Sequence, residues 1–144
     1  MRIAVSTDMI TGFAPLLVDE LTQRGHDVTT FGAFEADARS DWAWASESAA
    51  RAVSVGDADQ AIVCCWTGTG ASIAANKVSG VRAALCADAR TAEGARKWNN
   101  ANALALSLRA TSEAQLKEIL DAWFATEPSD DPADAANITH VNNL

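Results

Sequence analysis

The residues whose types and order could do chemistry sit together in one stretch, Cys65-Trp66-Thr67-Gly68-Thr69-Gly70-Ala71-Ser72. Two glycines let the backbone turn tightly, so that several N–H groups can converge on one point. A helix following such a turn adds the positive end of its dipole. The combination can hold an anion: a substrate phosphate, a carboxylate or an enediolate formed during reaction. A plain strand-to-helix turn also uses glycine, so the loop by itself leaves both readings open. Cys65 stands where strand becomes loop, facing the expected crevice, and a helix terminus favours the thiolate that a base needs. Cys64 points to the other side of the strand and is read as core, as is Cys86. Asp8 follows the first apolar run, where a carboxylate can accept bonds from sugar hydroxyls or serve as an ordinary turn residue. His26 lies in a helix-to-strand turn and His140 near the end of the chain; neither is read as catalytic.

Short apolar runs must position these groups. Ile3–Ser6, Val28–Phe31, Gln60–Cys65, Val81–Cys86 and Ala103–Ser107 read as strands, the third apolar enough to be covered on both faces. Helical spacing is expected over Phe13–Arg24, Ala43–Val55, Ile73–Val78, Ala89–Lys97 and from Thr111, as cap, to Trp123. Alternating strands and helices imply right-handed βαβ units and a parallel sheet, hence an α/β domain with its ligand crevice at the carboxyl ends of the strands. Residues 1–125 form that single domain. The Pro-, Asp-, Asn- and Ala-rich residues 126–144 are expected to extend over the surface as a tail.

The formal net charge of −8 argues against nucleic acid or an anionic membrane as partner, since both select basic surfaces. No apolar stretch approaches the length of a membrane span, and the first residues do not read as a secretory signal. Three cysteines, two of them adjacent, make neither a disulfide framework nor a zinc motif, and reduced thiols in a cytoplasmic protein are the expectation. A dinucleotide site is disfavoured, because the glycine turn follows the third strand and matches no complete fingerprint.

The run Cys65-x-Thr67-Gly68-x-Gly70-x-Ser72-Ile73-Ala74-Ala75-Asn76-Lys77-Val78, with Gly80-Val81-Arg82-Ala83-Ala84-Leu85-Cys86, Arg96-Lys97-Trp98-Asn99-Asn100-Ala101-Asn102 and the opening strand to Asp8, resembles the family of ribose-5-phosphate isomerase B and the galactose-6-phosphate isomerase subunits, over roughly residues 1–125. The resemblance implies a Rossmann-like three-layer αβα fold with a five-stranded parallel sheet. It also implies a homodimer, or a dimer of dimers, with sites shared between subunits, and isomerisation through a cis-enediolate without metal or other cofactor. By the same resemblance Cys65 would be the base, Thr67 would assist at the sugar oxygens, and the amides of Gly68, Thr69, Gly70, Ala71 and Ser72 would hold the enediolate. Asp8 and Asn99 would bind sugar hydroxyls, and Met9, Trp66, Trp98 and Arg109 complete the expected substrate-binding set.

This chain also departs from the family. The His that follows the family's first-strand Asp is absent here, where Asp8 is followed by Met9-Ile10-Thr11-Gly12. The His credited with ring opening aligns with Trp98. The C-terminal arginines that grip phosphate have no counterpart, since no Arg follows Arg109, and a Glu used as base by some relatives is Ala71. Charge-assisted bonds worth roughly 1.5–3 kcal/mol each are thereby lost. The expected substrate is therefore not ribose 5-phosphate. It is an unphosphorylated sugar or a short-chain sugar phosphate that needs no ring opening, with Arg109, Arg82, Arg90 and Arg96 as remaining anion ligands. The alternatives are an epimerase or dehydratase acting through the same enediolate, and a non-catalytic sugar-binding paralogue.

Overall fold

In the computed structural model, which describes residues 1–144, five strands and six helices alternate. They are β1 (Arg2–Thr7), α1 (Ala14–Gln23), β2 (Asp27–Gly32), α2 (Trp42–Ser54), β3 (Gln60–Cys65), α3 (Thr69–Asn76), β4 (Ala83–Leu85), α4 (Ala89–Asn99), β5 (Ala103–Ser107), α5 (Glu113–Ala125) and α6 (Pro132–Asn142). The sheet has the order β2-β1-β3-β5-β4 and every neighbouring pair is parallel. This is the expected three-layer Rossmann-like αβα arrangement.

Alternation along the strands divides the core by side-chain size. Ile3, Val5, Ile62, Cys64, Leu104 and Leu106 face α1, α4 and α5, where Leu17, Leu21, Leu116, Ile119, Leu120 and Trp123 meet them. The opposite face presents Ala4, Ala61, Val63, Cys65, Ala103 and Ala105 to Ala49 and Ala50 of α2 and Ala71 and Ala75 of α3. Small residues on both sides bring these two helices close to the sheet, so that their first turns sit directly over the strand ends. Trp123 donates its indole N–H to the buried Gln60 Oε1 at 2.7 Å, tying α5 to the start of β3.

Several boundaries differ from the sequence reading, each for a physical reason. α3 begins at Thr69 rather than Ile73, because Gly68 takes the left-handed conformation, φ 76°, and serves as its N-cap. β4 is limited to three residues because it lies at the sheet edge and pairs with β5 alone. α4 runs on to Asn99 and stops where Asn100 turns left-handed, φ 42°. α5 is capped by Ser112, whose reciprocal bonds with Gln115 form a capping box, rather than by Thr111. The C-terminal tail contains a helix: Asp131 caps α6, Pro132 occupies its first turn, and Asn142 accepts from Arg82 Nη1 at 2.8 Å. α6 buries no residue of its own, which is why hydrophobic periodicity did not announce it. No helix is long and apolar enough to cross a membrane.

Candidate active site

The strand order reverses between β1 and β3, and open parallel sheets bind ligands at the carboxyl ends beside such a point. Asp8 follows the end of β1 and Cys65 ends β3, so the two flank it. The backbone leaving β3 is pinned from the next strand. Leu108 N–H donates to the Cys65 carbonyl at 3.0 Å, and the Trp66 carbonyl accepts from Arg109 N–H and Ser107 Oγ, both at 3.0 Å. Gly68 then closes the turn. A Cβ there would stand 2.9 Å from the Leu106 carbonyl carbon and 3.0 Å from Ser107 N, so the tight turn over β5 requires glycine.

The first turn of α3 carries no side-chain cap, and its opening N–H groups have no intrahelical acceptor. Ala71 N–H points at the Cys65 sulfur, 3.4 Å away. The sulfur thus accepts a hydrogen bond from an amide of the helix N-terminus. The thiol is nevertheless 5% exposed and packed beneath the turn among alanines and valines, rather than standing open in the crevice as expected. The hydroxyls of Thr67 and Thr69 lie 2.8 Å apart, fixing Thr67 at the mouth of the turn. Cys64 and Cys86 belong to the core on the other face. Burial, with the neighbouring Cys65 and Asp8 charges, drives the Cys64 thiol far up, and burial pushes Cys86 up to about 12.

Asp8 is half-buried, and its Oδ1 is sealed from solvent without a donor in the chain. Burial raises its carboxyl above the usual carboxylate range. A buried acceptor lacking a partner is what a ligand hydroxyl would complete. Met9 and Trp66 are exposed at the same end of the sheet. Arg109 is exposed and shares a hollow of about 200 Å³ with Thr67, Leu85, Cys86 and Ser107. Thr69 is exposed, Gly70 and Ser72 are half-buried and Ala71 is buried in the first turn of α3.

Trp98 and Asn99 do not join this group. They end α4, which starts at the carboxyl end of β4 and runs back along the sheet for roughly 15 Å, so both lie at the opposite end, where the Asn99 carbonyl accepts from Arg82 Nε at 3.2 Å. The sequence reading placed them in the crevice; within one chain they are outside it. Trp98 stands against Gly94 and lines a hollow of about 250 Å³ with Arg82, Ala84, Ile138 and Val141.

One side chain at the crevice was missed. Trp42, the first residue of α2, lies on Gly70: a Cβ there would meet its indole at 2.9, 3.0 and 3.3 Å. The clue was available in the topology, since α2 starts at the carboxyl end of β2 and its first turn belongs to the same rim as α3.

A family model described as Ribose/Galactose Isomerase matches residues 3–141. The chain belongs to the ribose/galactose isomerase family. The match runs past residue 125 and into α6. Among curated relatives, ribose-5-phosphate isomerase B of Escherichia coli is 36% identical over 111 residues, 77% of this chain and 74% of the relative. D-erythrulose-4-phosphate isomerase of Pectobacterium atrosepticum is 37% identical over 77% of this chain and 73% of its own. Galactose-6-phosphate isomerase subunit LacB of Clostridium acetobutylicum is 35% identical, covering 86% and 72%. Among solved structures, ribose-5-phosphate isomerase B of Clostridium thermocellum superposes with a TM-score of 0.89 at 34% identity, over 99% of this chain and 96% of that one. As a ribose/galactose isomerase, this chain is an enzyme of the aldose–ketose isomerase type, an intramolecular oxidoreductase that moves hydrogen between adjacent carbons.

Proposed function

We propose that this isomerase interconverts a four-carbon aldose phosphate and its ketose, with Cys65 as base. The observation that carries this reading is the Ala71 N–H aimed at the Cys65 sulfur from the uncapped first turn of α3. The thiolate removes the C2 proton of the aldose and the electron pair passes to the carbonyl oxygen as a cis-enediolate forms. The same proton carrier returns a proton to C1, while the Thr67 hydroxyl moves the O2 proton to O1. Free amides of the first turn of α3 stabilise the enediolate, a role that typically contributes a few kcal/mol. A substrate hydroxyl supplies the donor that Asp8 Oδ1 lacks, and Arg109 with the neighbouring hollow receives the phosphate.

Chain length follows from chemistry. A tetrose with its terminal hydroxyl esterified cannot close a furanose ring, so an enzyme with Trp98 at the ring-opening position has nothing to open. Two similar proteins carry the name D-erythrulose-4-phosphate isomerase, which supports this substrate class. We further propose a homodimer in which the partner's α4 end completes the site. Trp98, Leu85, Ile73 and Val141 are exposed apolar side chains on the flank around β4, a surface suited to burial against a second copy.

The test compares kcat/KM for D-erythrulose 4-phosphate and D-ribulose 5-phosphate in the wild type and in Cys65→Ala. The expected result is preference for the four-carbon substrate and loss of at least about a thousandfold on removing the thiol. Preference for the five-carbon substrate, or undiminished turnover by Cys65→Ala, would overturn it.

A further inference from the structure

We infer that Trp42 is a specificity-determining residue of this site, its indole forming the wall against which the reacting end of the open-chain sugar lies. The inference rests on the function proposed above for the α3 turn. α2 and α3 start side by side over the small-residue face of the sheet, and the six-membered ring of Trp42 covers Gly70, whose N–H belongs to the amide cluster. The close approach exists because residue 70 has no Cβ; an alanine would stand 2.9 Å from the ring. A substrate oxygen held by those amides therefore has the indole beside it.

Three further features make Trp42 a binding wall rather than packing alone. It remains 46% exposed although one part rests on Gly70. Only the Trp123 indole donates within the chain, to Gln60; the N–H of Trp42, like those of the other three exposed indoles, has no acceptor there, and Trp42 is the one of them that rests on Gly70, where its N–H is free for a sugar oxygen. The residues beside it are engaged outside the site. Asp41, the N-cap residue, pairs with Arg39 at 2.7 Å, and the Arg39 guanidinium lies 3.4 Å from the centre of the Trp44 ring. Arg39 thus occupies Trp44, which is turned toward solvent two residues on, and leaves Trp42 as the indole of α2 that lies on the amide turn. A rigid aromatic face suits the C–H surface of a short polyol chain, while its N–H reads one hydroxyl.

Isothermal titration of the wild type, Trp42→Ala and Trp42→Phe with erythronate 4-phosphate, an unreactive carboxylate, and with inorganic phosphate tests this. Trp42→Ala is expected to weaken erythronate 4-phosphate about tenfold and leave inorganic phosphate within about twofold. Trp42→Phe is expected to lose less affinity, and also to lose part of the tryptophan fluorescence change that erythronate 4-phosphate produces in the wild type, the rest coming from the other indoles near the site. Unchanged affinity for erythronate 4-phosphate, an equal loss for both ligands, or a full fluorescence change in Trp42→Phe would overturn the role of Trp42. If Trp42→Ala does not fold, the fluorescence of Trp42→Phe decides. Turnover of Cys65→Ala is independent of these titrations: a fully active Cys65→Ala would defeat the base assignment and leave the Trp42 result standing.

Discussion

Asp8 carries opposite demands on stability and binding. Burial without an internal donor pushes its carboxyl up, so the folded state favours the protonated form. Its favourable contribution is present at low pH and is lost as pH rises through the raised value. Asp8→Asn therefore raises Tm at about pH 7 relative to the wild type, and the difference disappears below the ordinary carboxylate range near pH 4. The same substitution lowers kcat/KM by about ten- to a hundredfold, since it exchanges a charge-assisted bond to a sugar hydroxyl for a neutral one. Calorimetry across pH and steady-state kinetics check the two halves, and a drop in Tm at pH 7 would contradict the first. Asp8 and Cys65 were legible in the sequence because each terminates an apolar run, and in a parallel sheet a strand end is a place at the crevice. The burial of the Cys65 sulfur was not legible, because it depends on how far α3 reaches back over the strand.

α3 shows how tertiary contacts overrule local propensity. Thr67-Gly68-Thr69-Gly70 reads as a loop, yet half of it is helix because Gly68 caps the turn and Gly70 admits Trp42. Gly68→Ala places a Cβ against the backbone of Leu106 and Ser107 in a left-handed conformation, costing at least about 1–3 kcal/mol. Denaturant unfolding should show that loss, and a neutral result would mean the turn can relax. Gln60–Cys65 and Ala103–Ser107 were predicted to the residue because central strands are continuous apolar runs with polar ends. The edge strand β4 was overextended, since apolar residues next to an edge need not pair. α6 escaped notice because its stability comes from its Asp131 cap and the Arg82 contact rather than from an apolar stripe. Trp42 escaped notice because a contact between two helix starts has no signature in spacing along the chain.

At the scale of the whole molecule, one chain gathers Asp8, Cys65, Thr67 and Arg109 at one end of the sheet and leaves Trp98 and Asn99 at the other. A two-fold dimer that brings the partner's α4 end to each crevice reconciles these positions with a single site. Mixed, refolded Cys65→Ala and Asn99→Ala subunits should then recover about a quarter of wild-type activity, because half the dimers are hybrids and each hybrid carries one intact site. Activity equal to the mean of the two parent variants would place each site within one subunit.

The base assignment is tested most directly by running the reaction on D-erythrose 4-phosphate in deuterated water and reading the ketose by NMR. Wild-type enzyme is predicted to place solvent deuterium at C1 of D-erythrulose 4-phosphate, and Cys65→Ala to yield no labelled product above the uncatalysed rate. Labelled product formed by Cys65→Ala at the wild-type rate would contradict proton transfer by the thiol.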